Sequence, residues 1–379
     1  MKKTKPRFDY FLIVNVGILI VLGIVIITSV SASISPEDPT FYLFRHIKHG
    51  LLPGIILGFA AFKIPLDFLR KWSVVLLLFS LFLMVLVFLP GAGLTLGGAS
   101  RWINLRLFTF QPSELLKLTF ILYLAAWLAT RTAIIEKKKK DFVLKEFGRW
   151  SASTLIAFLA VMAIIVVLLV FQPDVSTLAL IITCAFLMYF AAGTPVKHTF
   201  LIIMLGIGGL AALIRIAPYR FERLLVFLNP ETDPMGLGYQ IKQAIITVGS
   251  GGFWGMGPGM GIQRFLPQPL TDSIFAVFAE QAGFVGSMLV IVLFVLFFWR
   301  GYVIAKNSQD SFCKLTALGI SFWIVLQAFI HIGVAIGILP VTGIPLPFIS
   351  YGGTAMITSL IGVGILLNIS KNVRKVQNI

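Results

Sequence analysis

The sequence predicts an all-α fold: a polytopic membrane protein with ten transmembrane helices, both termini cytoplasmic, and one long extracytoplasmic loop over about 217–272. Three observations predict it. Hydrophobic residues fill 58% of the 379 positions, against roughly 45–50% in an ordinary soluble domain. They gather into ten runs, each about the ~20 residues that a bilayer core of ~30 Å requires. The basic residues alternate with those runs. With the N-terminus placed inside, 21 of the 31 Lys and Arg fall in the segments that would face the cytoplasm, as the positive-inside rule demands, and an even number of spans follows. The chain reads as a single integral membrane domain.

The elements follow in order. The first run, 11–31, is too long for a signal-peptide core and lacks a cleavage site, so it counts as a span. The second, 48–63, is the weakest, holding Pro53, Gly50, Gly54 and Gly58. The third covers 72–90. A Gly- and aromatic-rich outer segment, 91–112, leads to the fourth, 113–130, where Gln111-Pro112-Ser113 reads as a helix start with Ser113 as cap. Lys137 to Lys140 then anchor a cytoplasmic segment. Runs at 150–171 and 175–193 are joined by a tight turn in which Asp174 caps the second helix, and a seventh run spans 198–216. The loop of about 56 residues that follows is long enough to suggest function. The last runs are 273–299, 312–337 and 351–369, with a Pro-rich hairpin at 338–350 entering the final helix. Its prolines fix the backbone, and a rigid re-entrant loop lining a cavity fits.

Several classes are excluded or disfavoured. A net charge of +16 would suggest nucleic acid in a soluble protein, but here membrane orientation accounts for it. Cys184 and Cys313 form no metal or redox spacing. The glycines of 249–261 sit in a loop, not between a strand and a helix, and no phosphate-binding Walker motif is present. His46 and His49 lack an evident third metal ligand. No internal repeat is apparent, which disfavours the commonest transporter architectures.

Charged residues inside spans are functional candidates by default. Glu114 and Lys117, three apart, share one helix face; the alternative is a self-neutralising packing pair. Asp272 closes the long loop at the mouth of the eighth helix, where an N-cap role is the plain alternative, although Thr271 or Ser273 could cap as well. Glu280 lies eight residues on, about 12 Å deeper along the helix, and needs a partner there. Arg101 beside Trp102 reads as an interfacial anchor or as a ligand. Gly352 and Gly353 permit close backbone approach. His331 reads as a hydrogen-bonded packing residue.

These segments resemble a known family. "GGASRWINL", "FQPSELLKL", "FQPDVSTL", "GLGYQIKQAIITVGSGGFWGMGPGMG", "LPQPLTDSIFAVFAEQAGFVG" and "LPVTGIPLPFISYGGTA" are similar to the signatures of the SEDS membrane glycosyltransferases of bacterial cell-wall synthesis (RodA, FtsW, SpoVE). The similarity runs in order from about residue 10 to 370, and "PYRFERLLVFLNPETDP" looks more like the division branch than the elongation branch. The resemblance implies ten helices with both termini cytoplasmic, in the bacterial cytoplasmic (inner) membrane. It implies polymerisation of lipid II on the outer face, for cell division or cell shape. It also implies a class B penicillin-binding protein (a transpeptidase) as partner, alongside other divisome or elongasome membrane proteins. It maps the family's essential loop carboxylate onto Asp272 and its fourth-helix acid and base onto Glu114 and Lys117. Two departures stand out: Gln281 where a second acid is frequent, and His331 where Asn is usual.

The chemistry expected of such a site is a base, Asp272, that takes the acceptor hydroxyl's proton, and fixed cations that receive the departing diphosphate. Arg101, Lys117, Arg220, Arg223 and Lys242 are the candidates for substrate or diphosphate contact, with Glu280 and Ser350 beside them; a divalent cation (Mg or Mn) is an alternative source of charge. Lys117 is expected to pair with Asp272 in the absence of substrate, tethered by Glu114. Direct displacement with inversion is the expected stereochemistry, and the weak second and third spans are candidates for a mobile wall admitting the lipid tail. The competing readings are a lipid II flippase and a non-catalytic divisome scaffold.

Overall fold

The structure, a computed structural model, describes residues 9–376 apart from 92, 97–98, 106–107, 139–143, 194–199, 203, 205, 207, 210–214, 216–217 and 262–265. It is mostly helical. Helices α1 (Tyr10–Ile34), α4 (Leu66–Leu86), α5 (Pro112–Lys138), α10 (Ile274–Lys306), α11 (Ser311–Ala335) and α12 (Gly353–Val376) each contain a stretch long and apolar enough to cross a membrane. Two shorter apolar helical stretches lie in α6 (Leu144–Phe171) and α7 (Val175–Ala191). The expected second span, 48–63, is a π-helical turn at Ile47–Leu51 followed by α3 (Leu52–Lys63), and a short helix before the expected start, α2 (Phe41–His46), leads into it. The expected seventh span, 198–216, lies largely outside the described residues. The protein is thus a multi-pass membrane protein, and α1, α3 and α4 expose apolar side chains such as Val21, Phe59 and Leu78, as lipid-facing helices do.

Local chemistry explains the breaks. Pro53 lacks an N–H and would crowd the carbonyl four residues back; the turn just before it widens to π geometry, with the Leu52 N–H donating to the Ile47 carbonyl. Asp9, Asp174 and Asp310 cap α1, α7 and α11, accepting from the N–H groups of Leu12, Thr177 and Cys313. Asp9 is also gripped by Arg300, whose Nε and terminal nitrogen lie 2.8–3.0 Å from its oxygens, which ties α1 to α10. Helices α3 and α12 meet backbone to backbone: a methyl at Gly58 would lie 2.7 Å from the Leu360 carbonyl oxygen, so only small residues fit the crossing.

Two features depart from the sequence reading. The segment before α5 is not loop alone: β1 (Gly93–Leu96), β2 (Ala99–Asn104) and β3 (Thr109–Phe110) form a three-stranded antiparallel sheet, so the chain is not purely α-helical. The long loop is partly helical too, with α8 (Pro218–Leu228), a 3-10 turn at Pro230–Thr232, and α9 (Leu237–Ser250). Its glycine-rich remainder docks on a break in α10. Gly283 there has φ 65°, the left-handed region that favours glycine. The Met256 and Gly257 N–H groups donate to the Glu280 and Gln281 carbonyls freed by the break, and Phe284 and Val285 donate back to Gly252 and Phe253.

Candidate functional site

A cavity of about 470 Å³ opens where α2, its π turn, strands β2 and β3, the start of α5, the α6–α7 turn and the loops before α10 and α12 converge. Of the expected site residues, Asp272, Glu114 and Arg101 line it, and Asp174 joins them.

Asp272 is half-buried in the turn that precedes α10. The cap position of that helix belongs to Ser273, whose hydroxyl instead donates to the Pro267 carbonyl. No cap hydrogen bond therefore consumes the Asp272 carboxylate, and it faces the cavity opposite Gly343, where an added methyl would lie 3.5 Å from Oδ2. Burial pushes its pKa above the ordinary carboxylate value; a hydrogen bond from Thr271 and the charges of Arg101 and Arg223 oppose that rise without cancelling it.

The cations near Asp272 are thus Arg101 and Arg223, not Lys117. The expected Lys117–Asp272 pair does not form. Lys117 is buried and donates to Glu114 Oε1 at 2.7 Å and to Gln327 Oε1 at 2.8 Å, with its ammonium 5.4 Å from the Trp323 ring. Its charge is fully engaged inside the bundle, and it does not line the cavity. Glu114 spans both environments, lining the cavity while one oxygen holds Lys117. The helix start also differs from expectation. Helix α5 begins at Pro112, so Ser113 is not the cap; its hydroxyl donates to Asp174 Oδ2 at 3.4 Å and accepts from Gln111 Nε2 at 3.1 Å.

Arg101 is fixed against the protein's own backbone. Strand β2 carries it to the α6–α7 turn, where its guanidinium donates to the carbonyls of Gln172 and Pro173. That turn is itself held by Gln172 Nε2 on the Met84 carbonyl, 2.9 Å away.

The other expected contacts fall elsewhere. Ser350 does not line the cavity; its hydroxyl accepts from the Leu346 N–H at 2.8 Å and donates to the Thr271 carbonyl at 3.0 Å, one residue from Asp272. Lys242 is half-exposed on α9 and pairs with Glu231. Glu280 is fully buried; its Oε1 accepts from the Ser250 hydroxyl at 3.3 Å, which places it under the docked glycine loop and outside the cavity lining. Neither Lys242 nor Glu280 therefore stands where a diphosphate contact was expected. The side chain of Arg220 lies outside the described residues.

Sequence reasoning missed the wall formed by α2 and the π turn after it. Tyr42, Arg45, His46 and His49 all line the cavity. The His46 ring lies 5.7 Å from that of Tyr351, and His49 stacks on Phe108 at 6.1 Å. Burial raises the Tyr351 phenol, opposed by the nearby charge of Arg45. The signal was present: Pro53 and three glycines mark a span whose backbone is irregular, and irregular backbone in a membrane belongs beside a cavity. Among the described residues no group of three or more His, Cys, Asp or Glu side chains is placed to hold a metal ion.

Comparison with known proteins places this geometry. The profile of the family described as "Cell cycle protein" (FtsW, RodA, SpoVE) matches residues 10–375. The chain is 37% identical to stage V sporulation protein E of Bacillus subtilis (strain 168) over 375 residues, covering 98% of both chains. It is 36% identical to a probable peptidoglycan glycosyltransferase FtsW of Geobacter sp. (strain M18), covering 97% of this chain and 98% of that one. Among solved structures it resembles one described as "Structural coordination of polymerization and crosslinking by a peptidoglycan synthase complex", with TM-score 0.75 and 27% identity over 97% of this chain and 98% of that one. It also resembles the rod shape determining protein RodA of Thermus thermophilus, with TM-score 0.68 and 25% identity over 96% and 97%.

Proposed function

The chain belongs to the FtsW, RodA and SpoVE family of cell cycle proteins, and from that premise we propose how its cavity joins sugars. It is a peptidoglycan glycosyltransferase. Its substrate is lipid II, polymerised into glycan strands on the outer face of the bacterial cytoplasmic membrane, with ten spans and both termini inside. The observation that carries the mechanism is the Asp272 carboxylate, committed to no helix cap and sharing one cavity with the Arg101 guanidinium.

Asp272 accepts the proton of the acceptor hydroxyl as that oxygen bonds to the anomeric carbon of the donor. The bond from that carbon to the lipid diphosphate breaks, and the diphosphate leaves with the electron pair. A carboxylate whose pKa is raised by burial is the stronger base. Arg101, which lines the cavity, serves the departing anion as fixed charge; Arg223 lies outside the lining and adds to it at longer range, close enough to be felt by Asp272. One attacking base and a single displacement give inversion. A crosslinking transpeptidase of the penicillin-binding class is the proposed partner, on the likeness to a synthase complex that couples polymerisation to crosslinking.

The test is purified protein, with and without that partner, supplied with lipid II. Wild type should form polymer and Asp272→Asn should not. Headgroup translocation without polymer would replace the enzyme with a flippase, and retained activity in a folded Asp272→Asn variant would remove the base.

A further inference from the structure

The re-entrant loop between α11 and α12 has an unusual backbone problem. Pro340, Pro345 and Pro347 carry no N–H, so the loop is short of donors for its own carbonyls. It is nevertheless buried: Ile344, Leu346, Phe348 and Ile349 are each at most 4% exposed. The Leu346 carbonyl accepts from the Ile349 and Ser350 N–H groups of the loop itself, but at Ile344 and Pro345 the partners come from outside. Two residues one turn apart on α11 supply them. Gln327 Nε2 donates to the Pro345 carbonyl, and His331 Nδ1 lies against the Ile344 carbonyl, both at 2.8 Å.

Gln327 is held in turn. Its Oε1 accepts from Lys117 Nζ and from Trp323 Nε1, each at 2.8 Å. At its other end the same loop reaches the catalytic turn: Ser350 donates to the Thr271 carbonyl, and the Tyr351 N–H donates to the Leu270 carbonyl at 2.9 Å. Gly343, two residues before the gripped carbonyls end, faces the Asp272 carboxylate. Neither Lys117 nor Gln327 lines the cavity.

We propose that Gln327 is a positioning residue for Asp272, and that Lys117 acts on the reaction through Gln327 rather than by touching substrate. The chain of contacts runs from α5 through α11 to the loop, and from the loop to the turn carrying the base. The inference rests on Asp272 being that base. Gln327 fixes the loop because its amide satisfies three groups at once: one donor bond to the loop carbonyl and two acceptor bonds that lock the amide's orientation. A base displaced by about 1 Å can lose on the order of 10²-fold in rate, so a remote grip is sufficient to matter.

The test uses full-length detergent-solubilised protein and lipid II polymerisation kinetics. Gln327→Glu keeps acceptor oxygens for Lys117 and Trp323 but loses the donor to Pro345; Gln327→Met loses both. Both should lower kcat by about 10- to 100-fold while KM changes by less than about twofold, since the side chain is not in the cavity. Both should also move the acidic limb of the kcat–pH profile, because the surroundings of Asp272 change. The decisive measurement is the cycle with Lys117→Met. If Lys117 works through Gln327, the double variant is no slower than the slower single variant; if Lys117 meets substrate independently, the two losses multiply. Multiplying losses, or an unmoved acidic limb with kcat per folded molecule unchanged, overturn the proposal. Should Gln327→Met not fold, the isosteric Gln327→Glu carries both the pH and the cycle measurements. Failure of the base itself is read separately, from activity in Asp272→Asn.

Discussion

The Lys117 ammonium and the Glu114 carboxylate meet at 2.7 Å inside the membrane-spanning part of α5, both almost wholly shielded. A buried pair of this kind is strongly destabilising to break from one side, because the remaining charge is left uncompensated. Lys117→Met should therefore lower stability by about 3–5 kcal/mol, whereas Glu114→Gln with Lys117→Met should recover most of it. Thermal unfolding in detergent checks this. Equal losses in the single and double variants would mean that packing around Trp323, not charge, sets the cost.

Asp272 gives the opposite kind of variant. Its carboxyl has a folded-state pKa above the unfolded value because of burial. The folded state then binds more protons than the unfolded state in the window between the two values. Stability is full below the unfolded pKa, ~3.9, and falls as pH rises through the folded one. At neutral pH the ionised carboxylate is a cost, so Asp272→Asn should unfold at an equal or higher temperature than wild type. Polymerisation should meanwhile fall by about 10²–10⁴-fold, the range for loss of a general base. A variant both inactive and less stable would show Asp272 to be structural.

The broken helix α10 supplies a third test. Gly283 carries positive φ, and a methyl there would lie 2.6 Å from the backbone carbon of Trp254 on the docked loop. Gly283→Ala should cost about 1–3 kcal/mol from the backbone alone, and more from displacing the loop. The Glu280 and Gln281 carbonyls would then lose their donors from Met256 and Gly257. Faster proteolysis within 251–261, together with a lower unfolding temperature, is the expected pair of results. A variant as resistant as wild type would show that the loop holds without the break.

Legibility in the sequence followed the physics of each signal. Apolar runs are read by composition alone, so a helix occupies each expected span that the structure describes. Asp174 as a cap was legible because capping is local, and the buried Glu114–Lys117 pair because three residues fix a helix face. Part of what was not legible depended on distant parts of the chain. The destination of Lys117 was set by Gln327, 210 positions away, and the cations of Asp272 by a strand and by α8. Strands β1 to β3 are short and their pairing is made between neighbours, so a glycine-rich, aromatic stretch read as loop. Ser113 failed as a cap because Pro112 had already taken the first helical position.

The balance of effects on Asp272 yields a pH prediction with a definite sign. Burial raises its pKa; the Thr271 hydrogen bond, Arg101 and Arg223 lower it, in that order of strength. The base works only when ionised, so polymerisation should fail as pH drops through the folded value, at a limb above the usual carboxylate range of ~3.9. Removing any of the three opposing groups leaves burial less opposed. Thr271→Val, Arg101→Gln and Arg223→Gln should each move the acidic limb of kcat/KM to higher pH, with Arg223→Gln the smallest shift. The two arginine variants should also lower the plateau rate, because the leaving diphosphate loses fixed charge, whereas Thr271→Val should leave the plateau nearer wild type. Rate–pH profiles of the four proteins decide it. A limb that stays put in all three variants would assign the titration to a group other than Asp272.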